Sequence, residues 1–141
     1  MTTSEKHDFL VIGKSFQGEI EKKKLNGIRV AGEAENYRIT YDDIAEGYSK
    51  FSYDRSDLNT PGPLNGSEFS TADRNDDKNC ARMFGPWWHR GCHNDAMNGR
   101  YPVNGEMIEN FANGIIWKGW KTYNKSLKES TLMIRPQAFR N

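Results

Sequence analysis

The chain has 141 residues, of which 28% are charged, 35% hydrophobic and 12% aromatic, and its formal net charge is +1. That length fits one domain with a small core and many loops, and the near-neutral charge argues against nucleic acid or an anionic membrane as the main partner. No run approaches the ~18 apolar residues of a membrane span, and Met1-Thr-Thr-Ser-Glu-Lys-His-Asp8 has neither the basic start nor the apolar run of a signal peptide.

Phe9-Leu-Val-Ile12 is an apolar patch with strand character. Glu19-Ile-Glu-Lys-Lys-Lys24 reads as a solvated strand pair or a helix turn. From Leu25 to Thr40 the pattern is β. Ile28-Arg-Val30 and Tyr37-Arg-Ile-Thr40 alternate, Asn26-Gly27 is a turn signal, and Gly32-Glu-Ala-Glu-Asn36 reads as a turn. Tyr41 to Gly66 is polar, ends in Pro61-Gly-Pro-Leu-Asn-Gly66 and reads as one long loop. Phe69-Ser-Thr71 is a short strand candidate that leads into an acidic run, Asp73-Arg-Asn-Asp-Asp77. Asn98-Gly99 marks another turn, and Gly105 to Asn110 reads as a short helix or loop. Gly114-Ile-Ile-Trp-Lys-Gly-Trp120 and Leu127 to Arg135 read as strands, the last closed by Pro136. Asn65-Gly-Ser67 and Asn124-Lys-Ser126 fit the N-glycosylation triplet, which is common by chance.

The chemistry concentrates in Cys80-Ala-Arg-Met-Phe-Gly-Pro-Trp-Trp-His-Arg-Gly-Cys92, followed at once by His93. Three readings compete there. A disulfide would close a loop of 13 residues, contributing roughly 3 kcal/mol in the chain-entropy model. A zinc site would use Cys80, His89, Cys92 and His93, but the spacing matches no common pattern and adjacent Cys92 and His93 point apart. A Cys–His nucleophile pair has no local signature to support it. The acidic run is either a solvated loop or a calcium loop. Asp73, Asn75 and Asp77 alternate as calcium ligands do, although the glycine and glutamate positions of an EF-hand are missing. His93 reads as half-buried and hydrogen-bonded, His89 and His7 as surface residues. Trp87, Trp88, Trp117 and Trp120 read as core; Phe84 and Phe111 fit either core or ligand contact.

Taken together, these residues resemble the fibrinogen C-terminal domain family. Asn65-Gly-Ser-Glu-Phe-Ser-Thr-Ala-Asp73, Asn79-Cys-Ala81, Trp87-Trp88, Cys92-His93, Met97-Asn-Gly-Arg-Tyr101, Gly114-Ile-Ile-Trp117, Trp120, Tyr123, Ser126-Leu-Lys128 and Met133-Ile-Arg-Pro136 follow in family order. The resemblance runs from about Leu25 to Pro136. It implies an α+β domain with a small central sheet and a loop-rich ligand- and calcium-binding part, over residues 25–141. Residues 1–24 form a segment outside the resemblance. The family's N-terminal section and its further cysteine pair have no counterpart, so an N-terminally truncated domain with an exposed sheet edge is expected.

The resemblance also implies a Cys80–Cys92 disulfide, an extracellular location and a cis peptide between Gly91 and Cys92. Its calcium side-chain positions fall on Asn75 and Asp77. Asn replaces an acidic residue there and the loop to Asn79 is shorter than usual, so weakened calcium binding is expected. The family's pocket positions fall on Phe84, His93, Phe111 and Ala112. They form an apolar cup suited to an acetyl group, without the carboxylates that hold a basic peptide N-terminus in fibrinogen. The expected function is non-catalytic, lectin-like recognition of acetylated carbohydrate in innate immunity, with no acid–base or nucleophile constellation assembled. The alternative is a protein-binding module that engages a receptor or matrix partner. No coiled coil that would multimerise the protein is visible.

Overall fold

Two N-terminal strands carry the fold, and the last strand of the chain returns to pair with the first. A computed structural model describes residues 5–46, 64–93, 95–118 and 120–140. Strand β1 spans His7–Lys14 and β2 spans Ile20–Val30. They form an antiparallel hairpin closed by the Ser15 and Glu19 backbones. Glu19–Lys24 thus enters β2 as a strand. Alternation places Phe9 and Val11 of β1 and Leu25 of β2 on the core side, all buried. β3 (Ile39–Thr40) and β4 (Asp43–Ile44) pair with successive parts of β2. β7 (Glu129–Pro136) pairs with β1 over its whole length, from His7 opposite Pro136 to Lys14 opposite Glu129. The sheet order is β3-β2-β1-β7, all antiparallel.

Asn26-Gly27 is not a turn. It lies inside β2, where the β1 register shifts between His7 and Phe9. The extra residue forms a bulge, and Gly27 takes a φ of 67° to accommodate it. A Cβ at Gly27 would lie 2.2 Å from an Asp42 carboxylate oxygen, so the position also has no room for one. Gly32–Asn36 is a turn as expected, built on a 3-10 segment at Glu33–Glu35 and ended by left-handed Asn36 and Tyr37.

The second layer is a ribbon of two short strands, β5 (Asp95–Ala96) and β6 (Ile116–Trp117). Among the described residues, only this part of the expected Gly114–Trp120 strand is regular. The Asn98-Gly99 turn is present, and it packs so closely that a Cβ at Gly99 would lie 1.7 Å from the Gly114 carbonyl oxygen. Phe69–Thr71 makes isolated bridges only, from Ser70 to Trp87 and from Thr71 to Arg74. Residues 105–110 are a loop with one bridge, Met107 to Lys125. The long loop expected from Tyr41 to Gly66 is interrupted near its start by β4, which pairs with β2, and between positions 47 and 63 it lies outside the described residues.

The core joins both layers: Phe9, Val11, Leu25 and Ile28 from the sheet meet Trp87, Ala96, Met97, Ile115, Trp117 and Leu127. Trp87 and Trp117 are fully buried, with Trp88 and Trp120 packed partly buried against them. Aromatic rings of this size bring large apolar areas out of water for few residues. That is how a protein of modest hydrophobic content builds a core. The architecture is the expected α+β one with a small central sheet; among the described residues its one α-helix is a single turn.

The C-terminus is tied to β1 through Asp8. This carboxylate is buried and accepts from Arg140 Nε at 2.7 Å and from Gln137 Nε2 at 3.2 Å, with Lys24 Nζ at 3.6 Å and Arg135 Nε at 3.5 Å. It is shielded by the side chains of its own partners. The Arg140 hydrogen bond holds its pKa well below the ordinary carboxylate range.

Candidate ligand-binding site

The site begins at Asp76. Its carboxylate accepts from the Ala81 N–H at 2.8 Å and the Arg82 N–H at 3.2 Å, which caps the one-turn helix α1 (Cys80–Phe84). The helix buries Cys80 and Ala81 and carries Phe84 at its end. Beyond Gly85 the backbone passes through Trp87, which bridges Ser70, and turns back at Gly91. Cys80 and Cys92 are bonded, S–S 2.09 Å, with Cα atoms 5.1 Å apart. Of the three readings of this stretch the disulfide stands. Sulfurs bonded to each other are neither zinc ligands nor nucleophiles.

The cis peptide expected before Cys92 is absent. The turn is made by two consecutive left-handed residues, Gly91 at φ 63° and Cys92 at φ 71°. That reversal lets the Arg90 N–H donate to the Cys92 carbonyl at 2.7 Å.

His93 is 5% exposed and wedged between two rings. Phe84 meets it edge-on at 5.0 Å between centroids, and His89 lies at 5.3 Å. Neither ring nitrogen of His93 makes a hydrogen bond of ordinary geometry among the described residues, the Ala112 backbone being at most a weak partner, and the ring is buried where a half-buried, hydrogen-bonded histidine was expected. Burial, and secondarily His89, push its pKa down to about 4, against a weaker opposing pull from the Ala112 backbone. His93 is therefore a neutral imidazole with hydrogen-bonding capacity to spare beyond its weak interaction with the Ala112 backbone.

Ala112 is buried and left-handed, with φ 57°, and its N–H donates to the Tyr123 carbonyl at 3.1 Å. Phe111 is 65% exposed and leans on the Tyr123 ring at 5.0 Å. The Tyr123 hydroxyl donates to the His93 carbonyl at 3.4 Å. Phe84, His93 and Ala112 thus form one wall, and Tyr123 connects it to Phe111. In sequence Tyr123 stands among the family-order residues, where nothing marks it as part of the site.

A second omission lies on the adjoining ribbon. Asp95 accepts from the Lys118 N–H at 3.1 Å, and burial raises its pKa to about 7 against the charge of Lys23, itself a fully buried lysine of β2. The signal was a lysine at a core-facing strand position, which the surrounding charge run masked. His89 and His7 also depart from the surface placement expected of them. His7 is buried, its Nδ1 3.0 Å from the Glu5 carbonyl oxygen, and His89 is half-buried, its Nε2 2.8 Å from that of Gly85. Asn65 of the first sequon is occupied: its side chain accepts from the Tyr41 N–H and donates to the Tyr41 carbonyl.

In the acidic run, Asp76 is spent on α1 and Asp73 accepts from the Thr71 hydroxyl at 2.7 Å. Asn75 is left-handed at φ 58° and its amide N–H donates to the Phe69 carbonyl. The side-chain oxygens left are those of Asn75 and Asp77, the two expected to face calcium. They fit in atom type, but with one formal charge between them they suit a weak site completed by backbone carbonyls and water. Among the described residues no three His, Cys, Asp or Glu side chains converge as a metal cluster. Asn75 and Asp77 border a polar cleft of about 230 Å³ with Arg38, Glu68, His89 and Arg90, which none of Phe84, His93, Phe111 and Ala112 lines.

The sequence profile described as fibrinogen beta and gamma chains, C-terminal globular domain, matches residues 1–137, which takes in the N-terminal segment that lies outside the motif resemblance. The fibrinogen gamma chain of Rattus norvegicus is 36% identical over 140 residues, covering 87% of this chain and 31% of its own length. Angiopoietin-2 of Mus musculus is 35% identical over 130 residues, covering 89% of this chain and 24% of its own. The fibrinogen-like globe domain of human ANGPTL6 superposes with a TM-score of 0.78 at 23% identity, over 95% of this chain and 58% of that one. Lamprey fibrin D-dimer, solved with the peptide Gly-His-Arg-Pro-amide, gives 0.79 at 22%, over 97% and 47%. The protein thus spans about a quarter to a third of the curated relatives it matches. With that profile matched along nearly its whole length, it belongs to the family of C-terminal globular domains found in fibrinogen beta and gamma chains.

Proposed function

We propose that this domain is a non-catalytic extracellular recognition module whose partner is a protein. The observation that carries the reading is a cluster of exposed apolar side chains beside the site. Tyr101, Val103 and Met107 are 55%, 82% and 56% exposed and border one shallow depression with Ile108 and Asn110. Phe111 follows immediately in sequence. Large apolar residues at a loop surface, rimmed by asparagines and charges, suit a protein partner better than a sugar's hydroxyls. A structural disulfide suits an oxidising, extracellular compartment.

The test is binding of the purified protein to immobilised receptor ectodomains and matrix proteins, in parallel with N-acetylated resin. A Val103→Asp, Met107→Asp double variant should weaken protein binding by roughly tenfold or more. Binding that ignores the double variant would reject this surface. Gly-His-Arg-Pro-amide should not bind, because Phe84 and Ala112 offer its ammonium and guanidinium groups no carboxylate.

The second reading is recognition of an acetyl group on a sugar, favoured by the contact of half-buried Phe84 with buried His93 and by the spare hydrogen-bonding capacity of the His93 ring. Retention on N-acetylated resin, elution by N-acetylglucosamine and loss of both in Phe84→Asp would put this reading first. Calcium at Asn75 and Asp77 belongs to either reading as a weak ion that stiffens the neighbouring loop.

A further inference from the structure

Two Asn-x-Ser triplets stand in the chain, Asn65-Gly-Ser67 and Asn124-Lys-Ser126. The fold treats their asparagines in opposite ways. Asn65 is part of the architecture. Its Oδ1 accepts from the Tyr41 N–H at 3.1 Å, and its Nδ2 donates to the Tyr41 carbonyl at 3.1 Å. One residue is thus held through both of its backbone groups, which uses the carboxamide oxygen and the hydrogen syn to it. An N-linked sugar takes the place of that hydrogen, because a secondary amide is trans and its remaining N–H points away from the oxygen. A sugar on Asn65 therefore cannot coexist with the Tyr41 pair.

Asn124 is the reverse case. The Lys125 N–H donates to the Thr122 carbonyl at 3.2 Å, closing a β-turn with Tyr123 and Asn124 at its centre. The Asn124 N–H donates to the Thr122 hydroxyl at 3.3 Å, and its carbonyl accepts from the Ile108 N–H at 3.0 Å. The fold holds this residue by its backbone. Its side chain is exposed, and no hydrogen bond among the described residues uses the carboxamide. Ser126, the third residue of the triplet, is buried. Its hydroxyl accepts from the Ile115 N–H at 3.0 Å and donates to the Leu127 carbonyl at 2.9 Å. That hydroxyl can be read by a transferase on the extended chain, and it becomes structural once the chain folds.

We infer that Asn124 carries an N-linked oligosaccharide and that Asn65 does not. The inference rests on the extracellular reading above, since the modification belongs to exported chains. In the transfer the Asn124 Nδ2 attacks the anomeric carbon of an oligosaccharide carried on a lipid pyrophosphate. The C–N bond forms as the anomeric C–O bond breaks. The lipid pyrophosphate leaves with the electron pair, and one amide proton passes to solvent. Transfer precedes folding, so the fold has only to spare the carboxamide, as the Asn124 turn does. The modification also has a place in the binding surface. Asn124 is bonded to Ile108, and Lys125 bridges Met107, both of which border the apolar depression. Tyr123 carries Phe111 against its ring. The sugar stands at this rim, where it solubilises an apolar loop surface and confines a protein partner to the remaining sides.

The experiment is secretion of the whole chain, behind a supplied export signal, from cultured eukaryotic cells. Intact mass and peptide maps are taken before and after peptide:N-glycosidase F, which removes the sugar and leaves aspartate where the modified asparagine stood. The expected result is the loss of one oligosaccharide, with aspartate at position 124 and asparagine at position 65. Asn124→Gln should be secreted without the sugar and with unchanged circular dichroism, because the turn does not use the side chain. Ser126→Thr, which keeps the triplet, should retain the sugar. Three results would overturn the proposal: a mass that the enzyme does not change, a sugar that survives Asn124→Gln, or aspartate at position 65 of the folded protein. A free-thiol count on the same sample separates it from the extracellular reading. No sugar and no free thiol rejects the Asn124 assignment alone, whereas no sugar with both thiols free rejects the two together.

Discussion

The ring of His93 stands edge-on to that of Phe84, centroids 5.0 Å apart and planes at 79°. The titratable side chain of the apolar wall thus packs on a surface that cannot solvate its cation. Burial holds its pKa at about 4, below the ordinary value near 6.5. The unfolded state therefore binds more protons between these limits. His93 contributes stability that is complete above about pH 6.5 and is lost as pH falls toward 4, on the order of 3 kcal/mol in all. Asp95, raised to about 7, has the opposite sign: its contribution is full below about pH 4 and is lost as pH rises toward 7. The two partly cancel in the whole protein. Urea unfolding of His93→Phe against the wild type at several pH values isolates the first. The difference between them should grow as pH falls from 6.5 to 4, and equal slopes would contradict the burial.

Asp8 should make the protein acid-sensitive. Its folded pKa lies below that of the unfolded state, so its contribution is present above about pH 4 and declines as pH falls further. Asp8→Asn should lower stability at pH 7 by about 1–3 kcal/mol, since charge-assisted hydrogen bonds to Arg140 weaken. It should also release residues 137–140, read as faster amide exchange there.

Gly27→Ala should cost about 1–2 kcal/mol, because the bulge needs positive φ and the new methyl meets Asp42. Asp42 would have to leave Lys6, to which it is bonded at 2.6 Å. In an Asp42→Ala background the clash vanishes and the backbone cost remains. The two penalties should therefore be less than additive in a double-mutant cycle.

Millimolar calcium should raise the melting temperature by a small, saturable amount, and Asp77→Asn should abolish the shift. A wild-type melting curve unchanged by calcium would remove Asn75 and Asp77 as ligands.

The sheet was largely legible in the sequence, because β1 and β7 are written as continuous apolar or alternating runs and Pro136 ends the second. Asn26-Gly27 misled for a definite reason: the same dipeptide that favours a tight turn also favours a bulge, and only the long-range β1 pairing distinguishes them. Helix α1 was missed because five residues carry no period. It is set by the Asp76 carboxylate, which reads in sequence as one more charge in an acidic run. At the site, Phe84, His93, Phe111 and Ala112 could be named through family order. Tyr123, which ties two of them together by its ring and hydroxyl, acts through contacts that no local pattern encodes. Lys23 and Asp95 went unnoticed because a buried charge looks like any other charge until the fold encloses it.

Trp87 belongs to two structures at once: it lies within the ring closed by Cys80 and Cys92, and it is a fully buried member of the main core. Opening the ring at Trp87 would therefore draw that side chain out of the main core. The ring's protected amides should exchange only when the whole domain unfolds, with the same denaturant dependence as the central strands. A domain wired this way would couple any ligand held at Phe84 and His93 directly to global stability, so occupancy would register as a rise in melting temperature even for a weak binder.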